Sequence, residues 1–497
     1  MTISRSSLLQ YAAFVTPILL MGLLSVHTLT SIYQDIGRHI RLGEIIWQTA
    51  SVPSVNLFSY TAPDFPFINH HWLAEVLLYW GNRFIGLTGL IVGKAFIIAA
   101  AFGLALAAAW RRYLALPGVV LGVTAALILS ERTDVRPEVL SFLFLSWYLF
   151  VLYRAAHTRL VWTLPFVQLL WVNSHIYFFM GPLVFVLWWA GEFAVGGPSA
   201  LCSRRRWLLA ALIALATLMN PHGLTGALYP LQVFGNYGYS VMENKSPFFL
   251  QAWGYPQLTS ISLYVGILLT ALTAVYARAH MRRHVMGLAL AASTAVMALM
   301  MVRNFPLFAL VMLPVGLRSL DLGGWRDRRP QMLAGALVLL ALLVISVVTG
   351  QLYDQAGVGK QFGLIVPEGH QRSVDFFRAA GIRGPIFNNF DIGSYLIWKL
   401  PEEKVFIDGR PEAYPAEFIQ DTYIRAQEQP EVWQRVMAQY GINAVFWNTY
   451  DITPWSRAFV PRILADPAWV LVYRDEGIII LVRDVPQNAG IIAKFRQ

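Results

Sequence analysis

The chain has 497 residues, of which 57% are hydrophobic and only 13% charged, with a mean hydropathy of +0.52. Soluble domains carry roughly 25% charged residues, so composition excludes an ordinary soluble enzyme and indicates a polytopic membrane protein. The formal net charge of +10 calls for no nucleic acid, because most of the excess sits in short loops between apolar runs, where Lys and Arg mark the cytoplasmic side. One cysteine, Cys202, excludes an internal disulfide framework.

Runs of about 20 residues predict about eleven spans, near 8–30, 86–109, 117–131, 138–154, 160–174, 177–195, 207–220, 258–277, 285–302, 304–318 and 331–350. The first run is too long for a signal-peptide core of about 7–15 residues and reads as a retained span with its N-terminus inside. Arg-rich turns at 111–112, 154–159, 204–206, 278–283 and 318–329 then all fall on the cytoplasmic face. On the opposite face lie Asp35-Ile-Gly-Arg-His39, Glu131-Arg-Thr-Asp134, Asn173-Ser-His175, Asn220-Pro-His222-Gly and Arg303-Asn-Phe-Pro306. Short spans ending in polar motifs at one face predict a vestibule opening outward, since irregular backbone at membrane depth needs cover from protein or water.

The first outer loop, 31–85, carries two helical patterns. Ile36, Ile40, Gly43 and Trp47 recur at helical spacing, with Arg38, Arg41, Glu44 and Gln48 on the remaining surface, which predicts an amphipathic helix in the headgroup plane. A turn-rich connector follows, and a second surface helix begins near His70-His71-Trp72 and runs to about Phe84. Residues 1–350 thus form the membrane domain. Residues 351–497 are richer in charge and alternate short strand-like runs (385–388, 404–408, 444–447, 470–473 and 478–482) with helical ones (371–380, 392–399, 415–427 and 431–440), which predicts an extracytoplasmic α/β domain.

Asp35 stands just outside the first span, with His39 one turn on and on the same helix face. It is either a helix N-cap or a carboxylate that takes a proton from an acceptor hydroxyl or holds a divalent cation. His70, His71 and Glu75 open the second surface helix; with Asp35 they suit a metal, or they are ordinary hydrogen-bonding groups at a helix start. Arg132 and Arg136 sit among Glu131, Asp134 and Glu138, either in a salt-bridge network or as ligands of an anionic headgroup. Arg303, at the outer end of a span, is a candidate for phosphate binding. His175 and His222 stand at helix breaks, lining the same cavity or capping helix ends. In the C-terminal domain, Asp391 and the turn Asp408-Gly-Arg410 lie at strand or helix ends, where α/β domains place ligands or simply turn. No GxSxG, CxxC or HExxH pattern is present.

Asp35-Ile-Gly-Arg-His39-Ile-Arg-Leu-Gly43 and Trp72-Leu-Ala-Glu75-Val, in a long first outer loop followed by many spans and an outer domain, resemble the GT-C superfamily of integral-membrane glycosyltransferases. That family includes protein O-mannosyltransferases, aminoarabinose transferases and oligosaccharyltransferases, and the likeness covers roughly 1–350. The resemblance implies a bacterial member in the cytoplasmic membrane, taking a sugar from a polyprenyl-phosphate carrier to a glycan, lipid or protein acceptor. It assigns Asp35 as base, assisted by His39. It suggests Arg303, with Arg132 or Arg136, for the lipid phosphate; by their positions, His71, Glu75, His175 and His222 are further candidates for the substrate cavity. Asp391, Asp408 and Arg410 fall on the acceptor side. Many members carry paired acids in the first loop, whereas Asp35 is followed by Ile36 and Gly37. No cofactor is required by any motif, and a divalent cation remains an option. Two other classes stay open: a lipid-linked substrate transporter, which would show symmetry between halves, and a non-catalytic envelope assembly or ligand-sensing protein.

Overall fold

The computed structural model describes residues 5–29, 35–232, 237–239, 241–327, 329–356, 360–366 and 370–496. The chain divides into two compact units, one of 1–28, 85–231 and 241–365, the other of 29–84, 232–240 and 366–497.

The first unit is helical. Each of the eleven expected spans has a helical counterpart, but among the described residues eight helices are long and apolar enough to cross a membrane, or nine if Arg204–Leu218 and Gly223–Leu231, bent by 105°, are one broken span. Glu138–Arg154, with 17 residues, and Arg159–Val172 are shorter. The breaks fall at the polar motifs: Leu164–Val172 stops at Asn173, whose amide donates to Leu169 O and Met219 O. Asn220 turns the other break by donating to Thr217 O and Gly223 O. Side-chain amides take up the carbonyls that a broken helix leaves without partners. With helices of this length and apolarity, the chain is an integral membrane protein.

The second unit contains both surface helices, α1 (Ile36–Thr49) and the start of α2 (Trp72–Ala109), which is interrupted at Gly86 by a left-handed φ of 67°. Its remainder is an α/β domain. The four strands β1 (Ile386–Asn388), β2 (Ala444–Asn448), β3 (Trp469–Arg474) and β4 (Ile478–Arg483) lie in the order β1-β2-β4-β3. β1 and β2 are parallel, with Phe387 opposite Val445, and the other pairs are antiparallel. One sheet face packs Ile386, Phe446, Ile480 and Val470 with Phe377 and Leu396. On the other, Phe387 stacks 5.5 Å from Trp447 and packs against Trp433 and Phe459. The expected strand at 404–408 is not one: Val405 makes only an isolated parallel bridge to Ser59. Phe390–Lys399, here α3, follows β1 as expected, and 430–440 ends at Gly441 in the left-handed conformation that favours glycine. Pro454–Ala465, with Pro461 inside it, was not foreseen.

Candidate active site

In the second unit, the side chain of Asp35 makes no capping bond to α1. Its Oδ1 instead accepts a hydrogen bond from Ser394 Oγ on α3 at 3.2 Å. The capping alternative is therefore not realised, and the carboxylate is half-buried. His39 shares its helix, yet its Nδ1 lies 3.0 Å from Glu75 Oε1 rather than on Asp35. Its Nε2 faces the Arg38 guanidinium at 3.3 Å, so the compatible neutral tautomer carries the proton on Nδ1. Glu75 is fully buried; Asn69 donates to its Oε2 at 2.7 Å and Arg38 lies 3.7 Å from Oε1. The His71 ring packs edge-on to His39 with centroids 5.6 Å apart. His39, Glu75 and His71 thus come together, with Glu75 joining α1 to α2 through His39. Among the described residues, no three His, Cys, Asp or Glu side chains are placed to hold a metal ion.

Asp391 opens α3, three residues before Ser394. It keeps water-accessible surface although protein crowds it on most sides. That crowding, with Asp451 and then Asp35 nearby, pushes its carboxyl up to about 7. Tyr239 stacks on Phe390 at 4.0 Å beside it. Asp408 and Arg410 are a different matter. Arg410 Nε and Nη2 donate to the two Asp408 oxygens, each at 2.7 Å, and Asn56 Oδ1 and Tyr414 Oη complete the set. Burial opposes the charge on Asp408, but the guanidinium outweighs it and holds the carboxyl below its usual range. Both residues are at most 1% exposed, so the ligand-facing role expected of this turn gives way to a saturated internal ion pair.

In the first unit, Arg132 makes a two-pronged contact with Glu138, both bonds 3.0 Å, and reaches Glu243 at 2.6 Å. Arg136 meets the same Glu243 oxygen at 2.7 Å. Burial opposes the charge of Glu243, but Arg132, Arg136 and Arg303 outweigh it and hold its carboxyl well below the usual range. Arg303 is bonded through Nη1 to Asn244 Oδ1 at 3.0 Å, its Nε has no partner, and it pairs with no carboxylate among the described residues. Asp134 also acts on Arg132 and Arg136, so carboxylates match guanidiniums in number, and Arg303 differs in making no direct ion pair among the described residues. Tyr177 Oη lies 3.0 Å from Arg303 O and from Asn304 Oδ1, and the His175 ring is 4.7 Å from Tyr177, its Nδ1 held by Ser141. Arg132, Arg136, Arg303 and His175 are therefore neighbours. The His222 Nε2 finds no partner among the described residues, and no contact joins it to that group.

Several members of these sites were missed. Glu243 and Asn244 lie in an unremarkable loop between spans, and Ser394, Asp451 and Tyr239 carry no motif. Lys94 did carry a signal, as a lone cation in an apolar span. Its Nζ donates to Thr133 O at 2.5 Å and lies 3.0 Å from His27 Nε2, while Lys360 Nζ reaches Glu131 O at 3.3 Å. Two ammonium groups thus take the last carbonyls of the helix Arg112–Arg132, a favourable place for cations. Burial, then Lys360 and Lys94, lower His27 to about 4, which keeps it neutral.

No family model and no curated protein matches the sequence. Solved structures do share its fold. The archaeal oligosaccharyltransferase AglB from Archaeoglobus fulgidus, in complex with an inhibitory peptide and a dolichol-phosphate, superposes with a TM-score of 0.55 at 12% identity, over 96% of this chain and 75% of that one. ArnT from Cupriavidus metallidurans, bound to undecaprenyl phosphate, gives 0.53 at 12% identity, over 97% and 98%. The mycobacterial arabinofuranosyltransferase AftD gives 0.51 at 15%, over 98% of this chain and 40% of that chain. The chain has the GT-C fold: membrane helices, a helical segment between the first two spans and a C-terminal α/β domain.

Proposed function

We propose that this chain is a membrane glycosyltransferase that moves a sugar from a polyprenyl-phosphate carrier to an acceptor at the outer face of a bacterial cytoplasmic membrane, with its N-terminus inside and its α/β domain outside. The solved structures of like fold are transferases, two of them complexed with a polyprenyl phosphate. The observation that carries the reading is the Asp35 carboxylate, which caps no helix and is held in place by a hydroxyl from α3. In the reaction, the acceptor hydroxyl gives its proton to Asp35 while its oxygen attacks the anomeric carbon. The bond from that carbon to the phosphate oxygen breaks, and polyprenyl phosphate departs with the bonding electrons. Charge builds on the phosphate, and the Arg303 guanidinium, which pairs with no carboxylate among the described residues, is suited to stabilise it. Arg132 and Arg136 serve less directly, by fixing Glu243 and with it Asn244, the Arg303 partner. His175 supports the same group through Tyr177, and Glu75 with His39 and His71 keeps α1 in register. Asp391 faces the acceptor.

The test is Asp35→Asn, which keeps size and removes the base. Turnover of a lipid-linked sugar by the purified chain in nanodiscs should fall roughly 10²–10⁴-fold, with thermal stability unchanged. Wild-type turnover by a folded Asp35→Asn protein would refute the assignment.

A further inference from the structure

We propose that the α/β domain is part of the catalytic machinery, because it builds the seat of Asp35: Ser394 is a positioning residue for that carboxylate and Gly409 supplies the space it occupies. This rests on Asp35 acting as the base. Ser394 is 1% exposed and lies inside a helix, where a buried hydroxyl ordinarily bonds back to the carbonyl four residues earlier. It bonds instead to Asp35, 359 residues away in sequence. The turn at 408–410 closes the other side. A Cβ on Gly409 would stand 2.6 Å from Asp35 Oδ1 and 3.2 Å from Ser394 Oγ. Gly409 is not among the glycines of positive φ, so its missing side chain serves space rather than backbone freedom.

Two further glycines bring the same segments to backbone contact. A Cβ on Gly37 would lie 2.7 Å from Ser394 O, and one on Gly393 only 2.2 Å from Ile407 O. Segments 35–37, 393–394 and 407–409 therefore meet around one carboxylate. The saturated Asp408–Arg410 pair makes the last of them rigid, which gives that buried pair a purpose. With Oδ1 held by Ser394, Oδ2 is the oxygen left to take the acceptor proton.

The experiment uses the full chain in nanodiscs, a polyprenyl-phosphate-sugar extract as donor, release of polyprenyl phosphate as readout, and thermal unfolding as the fold control. Ser394→Ala should lower kcat about tenfold, the weight of one oriented hydrogen bond, with KM within about twofold. Ser394→Cys, of similar size but a weaker donor, should fall between it and wild type. Gly409→Ala, which displaces the carboxylate, should lower kcat about 10²-fold, whereas Gly490→Ala, where a Cβ meets nothing within 4 Å, should change nothing. Should Gly409→Ala fail to fold, the Ser394 pair decides. If Asp35→Asn is inactive while folded Ser394→Ala keeps wild-type kcat, positioning by the α/β domain is refuted and the base assignment stands. If Asp35→Asn itself turns over normally, both fall together, and that variant alone identifies the cause.

Discussion

Two buried ionic groups, one in each unit, look alike in sequence and differ in how their arginines are paired. Asp408 and Arg410 are matched one to one, with Asn56 and Tyr414 completing the set. In the first unit Arg132 and Arg136 share Glu138 and Glu243, with Asp134 also acting on them, whereas Arg303 makes no direct ion pair and its Nε has no partner among the described residues. A matched pair is complete without a ligand. A buried guanidinium without a direct carboxylate partner is a cost that an incoming anion offsets. Burial alone thus says little about function, whereas the presence or lack of a direct carboxylate partner distinguishes a structural pair from a candidate place for phosphate.

The comparison breaks most readily at the matched pair. Arg410→Ala leaves the Asp408 carboxylate buried and alone, and should cost about 3–5 kcal/mol, seen as a large drop in the thermal midpoint. Replacing both, as Asp408→Leu with Arg410→Met, should cost much less, because no uncompensated charge remains. Equal losses for the single and double variants would show that packing of Arg410 over Phe58 and Phe67, not ion pairing, is what matters.

The unmatched group should respond in the opposite sense. Arg303→Ala removes a guanidinium that makes no direct ion pair among the described residues, so stability should change by less than about 1 kcal/mol. Affinity for undecaprenyl phosphate, titrated directly, should fall roughly 10–100-fold, the weight of hydrogen bonds to a charged group. Arg303→Lys should lie between, keeping charge but losing the planar fork. A destabilised Arg303→Ala that binds the lipid normally would place Arg303 with Asp408 and Arg410 as a structural residue.

How far these sites could be foreseen depends on which signals are local. Spans of apolar residues and the surface helix at 36–49 follow from short-range periodicity and were legible. So was Asp35-x-Gly-x-His-x-x-x-Gly, whose spacing the structure now explains position by position. Gly37 admits Ser394 O, His39 bonds Glu75, and a Cβ on Gly43 would lie 2.0 Å from Glu75 O. What was not legible is what those positions touch. Ser394 and Glu243 carry no pattern, because each acquires meaning only from a partner more than 100 residues away. The segment 404–408 has the apolar alternation of a strand, but beyond one bridge to Ser59 its backbone joins no ladder, which composition does not reveal. Pro461 hid the helix 454–465 by its usual role as a breaker.

The smallest effect concerns Asp391, and it sharpens the rule from the side of excess negative charge. Asp391 faces Asp35 and Asp451, with the neutral Tyr239 phenol beside it, and crowding plus these carboxylates raise its carboxyl from 3.8 to about 7. The folded state therefore holds this proton more tightly than the unfolded chain. Stability from the raised value is fully present below about pH 4, declines as pH rises, and is lost above about 7. Because Asp391 keeps exposed surface, solvent screens the repulsion and the effect should be modest. Asp391→Asn stays neutral at every pH, so it should unfold at a higher temperature than wild type at pH 8, with the gap closing as pH falls toward 4. A gap that is the same at both pH values would mean that the carboxyl titrates alike in the folded and unfolded chain. The three carboxylates would then share no common field, and Asp391 would have no electrostatic tie to the seat of Asp35.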